Sequence, residues 1–173
     1  QPPSTVKKIL VVKLDHIGDV VTATPVFEIL KKKYPQSNIT AMVGEWAVDI
    51  LSNNPFIDKI VVYNSKRYAK SSANVLPYKK RSKFLRDVFH SDYDLIVGLR
   101  DDWMTVFTAF FTKGIYRLDR GTTRMKLKMD ARRNSSQKKT TPGQYHEVET
   151  NLAILGILDT NYEYVNVTMY PTV

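Results

Sequence analysis

A short apolar run near the start of the chain, residues 9–12, is followed at once by a polar turn. A run of branched residues with almost no polar interruption is typical of a strand that is buried on both faces. Strands of this kind belong to parallel sheets that carry helices on each side. The turn at residues 14–19 would then lie at the carboxyl edge of the sheet, where open α/β sheets bind their ligands.

The rest of the chain alternates the patterns of strands and helices. A helix is predicted to begin at Asp19 and to stop at Pro35, with Pro25 in or near its first turns. Further strands are predicted at 39–43, 60–62, 94–98 and 114–118, and further helices at 45–51, 79–89, 103–111 and 146–156. The helix at 45–51 is expected to pack inward through Trp46, Val48, Ile50 and Leu51. Segments 64–77 and 119–143 lack periodicity and are predicted to be loops. This order predicts an α/β fold, a Rossmann-like open parallel sheet with helices on both faces.

Length and composition are those of one soluble globular domain. The 173 residues are enough for one core. We expect residues 1–6 to be a flexible tail, 7–158 the domain, and 159–173 the start of an interdomain linker or a C-terminal extension. No apolar run approaches the roughly 18 residues that span a bilayer, and the first residues lack the pattern of a signal peptide. The absence of cysteine excludes disulfides and thiolate metal sites, which is compatible with a cytoplasmic location.

The net charge of +9 is concentrated in two windows. Residues 66–86 contain eight basic residues and no acid, and residues 113–139 contain ten basic residues and two acids. Such windows attract phosphate esters, nucleic acid or anionic membrane surfaces. The windows include Lys66, Arg67, Arg120 and Arg124. As possible phosphate ligands, Arg120 and Arg124 rank above the lysines because a guanidinium binds phosphate bidentately. For any single lysine, a solvated surface charge remains the alternative.

The first turn does not have the pattern of a dinucleotide or nucleoside triphosphate site. It contains one glycine, Gly18, where the dinucleotide fingerprint requires three, and no P-loop motif occurs anywhere in the chain. A single glycine still allows backbone amides to approach a substrate closely where the strand gives way to the helix. The sequence contains no grouping of histidines that predicts a metal site, and no metal or other cofactor is expected.

Several segments together resemble a known family. The similarity is carried by Leu14-Asp15-His16-Ile17-Gly18-Asp19-Val20-Val21, Thr24-Pro25, Gly44-Glu45-Trp46-Ala47, Asn53-Asn54-Pro55 and His146-Glu147-x-x-x-Asn151. These residues resemble the bacterial heptosyltransferases of glycosyltransferase family 9. The resemblance implies the GT-B arrangement, in which two Rossmann-like domains face each other across a cleft, and it places this chain as the first domain.

The resemblance also implies an activity. The family transfers a heptose from an ADP-activated sugar to a phosphorylated glycolipid acceptor with inversion, in lipopolysaccharide biosynthesis. Asp19 matches the general base that takes the proton of the attacking hydroxyl. Lys13 and Gly18 are further candidates for substrate binding. The donor is expected to lie against a C-terminal domain that this chain lacks, so that the fragment alone would be inactive. The basic windows would hold the acceptor and contact the anionic cytoplasmic face of the inner membrane.

Alternatives remain for each of these residues and for the function. Asp19 could be an ordinary first-turn acid of a helix. Asp15 and His16 could simply stabilise the turn, and Lys13 could either reach a phosphate or lie on the surface. His146 could contact the acceptor or cap its helix. The alternative function is a non-catalytic, basic Rossmann-like module that binds nucleic acid or an anionic surface.

Overall fold

The computed structural model describes residues 5–63, 92–99, 114–119, 147–155 and 167–170. The described strands are β1 (Lys8–Lys13), β2 (Asn38–Gly44), β3 (Lys59–Tyr63), β4 (Tyr93–Gly98) and β5 (Gly114–Asp119). The described helices are α1 (Ile17–Val21), α2 (Thr24–Lys33), a 3-10 turn (Glu45–Ala47), α3 (Val48–Leu51) and α4 (Glu147–Leu155). The loops predicted at 64–77 and 119–143 and the helices predicted at 79–89 and 103–111 lie outside the described residues, apart from Asp119.

All five strands form one parallel sheet in the order β3-β2-β1-β4-β5. The chain winds outward from β1 in one direction through β2 and β3, and then in the other direction through β4 and β5. The topological switch point therefore lies between β1 and β4, and a ligand crevice is expected beyond their carboxyl ends. The prediction of a Rossmann-like open parallel α/β sheet is confirmed.

Both faces of the sheet are buried. On one face Ile9, Val11, Ile39 and Ala41 pack with α2 and α4, and this is the larger core cluster. On the other face Leu10, Val12, Met42 and Ile96 are almost completely buried in a second cluster. Burial on both faces is the reason why β1 and β2 read as continuous apolar runs instead of alternating ones.

The faces of the predicted helices are largely as expected. Val26, Ile29, Leu30 and Tyr34 of the α2 region are buried, and the helix ends at Lys33, just before Pro35. In α4, Leu152 and Leu155 are buried, and Val148 packs against the core from a partly buried position. No described helix is long and apolar enough to cross a membrane.

One helical boundary differs from the prediction. The single helix expected from Asp19 to Pro35 is divided into α1 and α2 at Thr22 and Ala23. Pro25 has no N–H to donate to the carbonyl of Val21, and the hydroxyl of Thr24 donates to that carbonyl instead, at 2.9 Å. The hydroxyl of Thr22 donates to the carbonyl of Asp19, also at 2.9 Å. Asp19 therefore lies in a separate one-turn helix.

The prediction that Trp46 packs inward was wrong, because its side chain is 43% exposed. The division of the chain into a tail, a domain and a linker stays a prediction. At the first boundary Val6 is only 4% exposed and belongs to the core. At the last, the ring of Tyr170 meets that of Phe56 edge-on at a centroid distance of 6.5 Å.

Candidate active site

The carboxyl ends of β1 and β4 meet at the switch point of the sheet. Val12 pairs with Gly98, and the N–H of Leu99 donates to the carbonyl of Val12 at 3.0 Å, so that the two strands stay together to their ends. The next residue of β1 is Lys13, which is followed by the turn that leads to α1. The end of β2 lies on the other side of β1, where Lys13 pairs with Val43.

Lys13 is the centre of a charged cluster at this edge. Its side chain is only 2% exposed. The ammonium nitrogen lies 2.9 Å from Oδ2 of Asp15 and 3.1 Å from Oε1 of Glu147, and it donates to the carbonyl oxygen of Leu99 at 3.2 Å. A buried ammonium is tolerated only with such partners, because desolvation of the charge is otherwise very costly. The alternative that Lys13 lies on the surface is therefore wrong.

The second carboxylate of this cluster comes from the other end of the described chain. Glu147 is the first residue of α4, and Asn151 lies one turn later on the same side of that helix. The amide of Asn151, a completely buried residue, donates to the carbonyl of Thr22 at 3.4 Å. That carbonyl lies at the break between α1 and α2. One side of α4 thus contacts both the end of β1 and the helix break.

Asp15 and Trp46 connect the turn to the end of β2. The indole N–H of Trp46 donates to the backbone carbonyl of Asp15 at 2.8 Å. The Trp46 ring occupies the space that a Cβ on Gly44 would need, so that glycine at this position permits the contact. The 3-10 turn that carries Trp46 also packs against α1. The turn after β1 is therefore held from two sides, through Lys13 and through Trp46.

Asp19 differs from the other acid of the turn. Its side chain is partly buried in the first turn of α1, and among the described residues no hydrogen bond or ion pair engages its carboxylate. The carboxylate of Asp15 is instead paired with Lys13. Of the two acids, Asp19 is the one whose carboxylate can accept a proton or a hydrogen bond from an incoming molecule without first breaking an ion pair.

The backbone beside Asp19 is open. A Cβ built on Gly18 would have no heavy atom within 4 Å, and the neighbouring His16 and Ile17 are exposed. Gly18 has a helical backbone conformation, so a glycine is not required here for a left-handed conformation. What the missing side chain provides is open access to the backbone. The role of Gly18 in substrate binding stays a prediction.

The structure brings together some of the predicted site residues. Lys13, Gly18 and Asp19 lie at the carboxyl edge of the sheet, as the sequence predicted. Whether Lys13 binds substrate stays a prediction, and two carboxylates already compensate its charge. Four basic candidates, Lys66, Arg67, Arg120 and Arg124, lie outside the described residues, as does His146. Within the described ranges no group of acids and histidines could hold a metal ion.

Sequence reasoning missed three residues of this site. Glu147 and Asn151 were noted only as part of a motif, and their spacing of four residues on a helix was the available signal that they share a face. Trp46 was assigned to the core because apolar spacing does not distinguish a buried aromatic residue from one held at the surface. Its nearness to Gly44 in sequence was the only hint of the contact.

Comparison with known proteins gives a consistent result. No protein-family model matches the sequence. Lipopolysaccharide heptosyltransferase 3 of Escherichia coli is 38% identical over 87 residues, which cover 50% of this chain and 24% of that enzyme. Lipooligosaccharide heptosyltransferase 2 of Haemophilus ducreyi is 26% identical over 130 residues, which cover 75% of this chain and 35% of that enzyme. The matched segments thus span between about a quarter and about a third of these curated relatives.

Solved structures share the fold. A glycosyl transferase family 9 protein of Veillonella parvula superposes with a TM-score of 0.69 at 21% identity, covering 95% of this chain and 45% of that protein. At these identities the likeness establishes the fold and not the activity. The overlap amounts to somewhat less than half of the larger protein.

Proposed function

We propose that the chain, which is similar to heptosyltransferases and to a glycosyltransferase family 9 protein, is the acceptor-binding half of an inverting glycosyltransferase and carries the general base. The reaction moves a heptose-like sugar from a nucleotide donor, ADP-heptose, to a phosphorylated glycolipid acceptor. The donor is held by a second domain, and the half described here is inactive without it. The relatives named above are heptosyltransferases of lipopolysaccharide or lipooligosaccharide, which supports this choice of substrates.

The observation that carries the proposal is the state of Asp19. A general base must reach the proton that it removes, within about 2.6 to 3.2 Å of the hydroxyl oxygen. Asp19 lies at the carboxyl edge of the sheet beside open backbone, and no described residue pairs with its carboxylate. Asp15, the competing acid, is paired with a buried lysine.

This geometry supports the following step. The carboxylate of Asp19 takes the proton of an acceptor hydroxyl while the oxygen attacks the anomeric carbon of the heptose. The bond from that carbon to the donor diphosphate breaks, and the nucleoside diphosphate leaves with the electron pair. Attack from the side opposite the leaving group inverts the configuration. Stabilisation of the departing diphosphate falls to the donor domain.

The remaining parts of the proposal concern the acceptor and the location. Lys66, Arg67, Arg120 and Arg124 supply phosphate contacts, and the basic windows give peripheral contact with the anionic cytoplasmic face of the inner membrane. Lys13 orients the site through its ion pairs and contributes to substrate binding. No metal takes part. The alternative of a basic nucleic-acid-binding module is supported only by the charge distribution.

Transfer of radiolabelled heptose from ADP-heptose to a phosphorylated glycolipid, measured with the full enzyme that contains this chain, tests the proposal. We expect transfer that EDTA does not reduce and that is lost in Asp19→Ala. The control is Asp49→Ala, which removes an exposed acid on α3. Absence of transfer, together with nucleic-acid binding that falls steeply with salt, would favour the alternative instead.

A further inference from the structure

We propose that the exposed face of Trp46, together with Ile17, is a stacking platform for a sugar ring of the acceptor. This inference rests on the proposed function and assigns a subsite to it. The platform lies at the same turn as the proposed base, Asp19. Its ligand is a pyranose ring that presents its apolar C–H face to the indole.

Trp46 is exposed and yet held in one orientation. Its side chain is 43% exposed, which is unusual for the largest apolar side chain. The indole N–H is engaged by the carbonyl of Asp15 at 2.8 Å, and the ring lies against the backbone of Gly44. These two contacts fix the ring plane before any ligand arrives. A preorganised ring loses little conformational entropy on binding, which favours affinity.

The hydrogen bond also decides what kind of ligand the ring can take. Because the only polar group of the indole is already used, Trp46 offers a π-face and no donor. A strongly hydrated anionic group such as a phosphate gains nothing from such a face. A sugar ring does, because one of its faces carries C–H groups and its hydroxyls remain free at the edge.

A second exposed apolar side chain lies across the same turn. Ile17, the first residue of α1, is 52% exposed, and α1 packs against the 3-10 turn that carries Trp46. Next to Ile17, the position of Gly18 is open to at least 4 Å. The edge of the sheet therefore presents two apolar side chains, with open backbone and a carboxylate beside them.

The position of Asp19 identifies the sugar as part of the acceptor. Asp15, whose carbonyl holds Trp46, is one turn of chain before Asp19, and the N–H of Val20 donates to the carbonyl of His16 at 3.1 Å. The hydroxyl that Asp19 deprotonates belongs to the acceptor. Because Trp46 and Asp19 are attached to the same turn, we assign a ring lying on Trp46 as the ring that bears this hydroxyl or as its neighbour.

Acceptor kinetics of Trp46→Ala and Trp46→Phe test the platform. We expect Trp46→Ala to raise the KM for the acceptor about 3- to 10-fold, with the KM for ADP-heptose unchanged. Both variants lose the bond to Asp15, but Trp46→Phe keeps an aromatic face. Recovery of acceptor KM in Trp46→Phe therefore supports stacking. Equal losses in the two variants, or no change in Trp46→Ala, would overturn it.

A binding measurement separates this proposal from the proposed function. When Trp103 and every tryptophan outside this chain are replaced by phenylalanine in the full enzyme, Trp46 is the remaining tryptophan of the chain, so its fluorescence reports on the platform directly. We expect a de-acylated, phosphorylated oligosaccharide of the acceptor type to change this fluorescence saturably, whereas inorganic phosphate does not. If the sugar changes it but no transfer occurs, the platform stands and the proposed function fails. If transfer depends on Asp19 but the fluorescence is unmoved by the sugar, the platform is wrong and the proposed function stands.

Discussion

The ammonium nitrogen of Lys13 lies 3.1 Å from Oε1 of Glu147, a residue 134 positions later in the chain. One turn along the same helix, Asn151 donates to the carbonyl of Thr22. These two contacts join the first strand and the helix break to the last described helix, on either side of the turn that carries Asp19. The site is therefore assembled by contacts between the two ends of the domain, and its geometry depends on them.

Replacing Glu147 should destabilise the fold more than replacing a surface acid. In Glu147→Gln, Lys13 keeps Asp15 as a partner, so we expect a loss of about 1 to 2 kcal/mol instead of the roughly 3 to 5 kcal/mol of a fully broken buried pair. Denaturant unfolding at neutral pH measures it. The matched control is Glu28→Gln, whose pair with the exposed Lys32 should contribute less than about 0.5 kcal/mol. Equal losses in the two variants would contradict the account.

Asn151→Leu keeps the approximate size of the side chain and removes its donor. The carbonyl of Thr22, which is partly buried, then loses this donor, and we expect a cost of about 1 to 3 kcal/mol. Because α1 is no longer fixed at the break, transfer per folded molecule should also fall. Asn38→Leu, the same change at an exposed residue, serves as the control and should cost less than about 0.5 kcal/mol. A stability loss with unchanged transfer would show that the contact does not position Asp19.

Tyr34→Phe should leave the protein as stable or make it more stable. The hydroxyl of Tyr34 is buried without a hydrogen-bond partner among the described residues, so its removal costs nothing and gains up to about 1 kcal/mol. Burial raises the pKa of the Tyr34 hydroxyl above its usual value. The raised pKa means that the free energy of unfolding does not depend on this group below about pH 10. As the pH rises further, the unfolded state ionises first, so the free energy of unfolding falls until the pH passes the folded pKa. Unfolding curves at pH 7 and pH 11 should show the variant less sensitive to alkali. Clear destabilisation at pH 7 would contradict this.

Protonation of Asp58 at low pH should lower the free energy of unfolding. Burial alone would raise the pKa of its carboxyl, but the N–H of Ile39 at 2.7 Å and the ammonium of Lys31 at 3.0 Å outweigh it, and the pKa is lowered. A lowered pKa adds stability above the ordinary value near 3.9, and this stability is lost as the pH falls through the folded pKa. The difference in unfolding free energy between the wild type and Asp58→Asn should therefore be constant from pH 5 to 7 and shrink below about pH 4. In Lys31→Met part of this pH dependence should remain, because the N–H of Ile39 still donates to the carboxylate of Asp58. A difference that does not change with pH would contradict this.

The strands and the class of fold could be predicted from the sequence. Buried parallel strands read as short apolar runs, and residues 9–12 and 39–43 are such runs, so periodicity and turn residues were sufficient. The position of Asp19 followed from the same reasoning, because a turn after a central parallel strand opens at the carboxyl edge of the sheet.

The contacts that hold the site could not be predicted. The pairing of Lys13 with Glu147 depends on where the chain returns after a long separation, and local patterns contain no such information. The helix break could have been predicted, because Pro25 has no N–H to donate to the carbonyl of Val21. The prediction instead assumed a continuous helix from Asp19. The exposure of Trp46 depends on Gly44 and Asp15 together, which no single pattern of apolar spacing reveals.

The single-turnover rate of heptose transfer by Asp19→Asn, measured beside acceptor binding in the full enzyme, tests the central claim most directly. Asparagine keeps the size of the side chain and cannot take a proton at neutral pH. If Asp19 is the general base, the rate should fall about 100- to 10,000-fold while acceptor affinity changes little, and Asp49→Asn should behave as the wild type. A transfer rate in Asp19→Asn within a few-fold of the wild type would contradict the account.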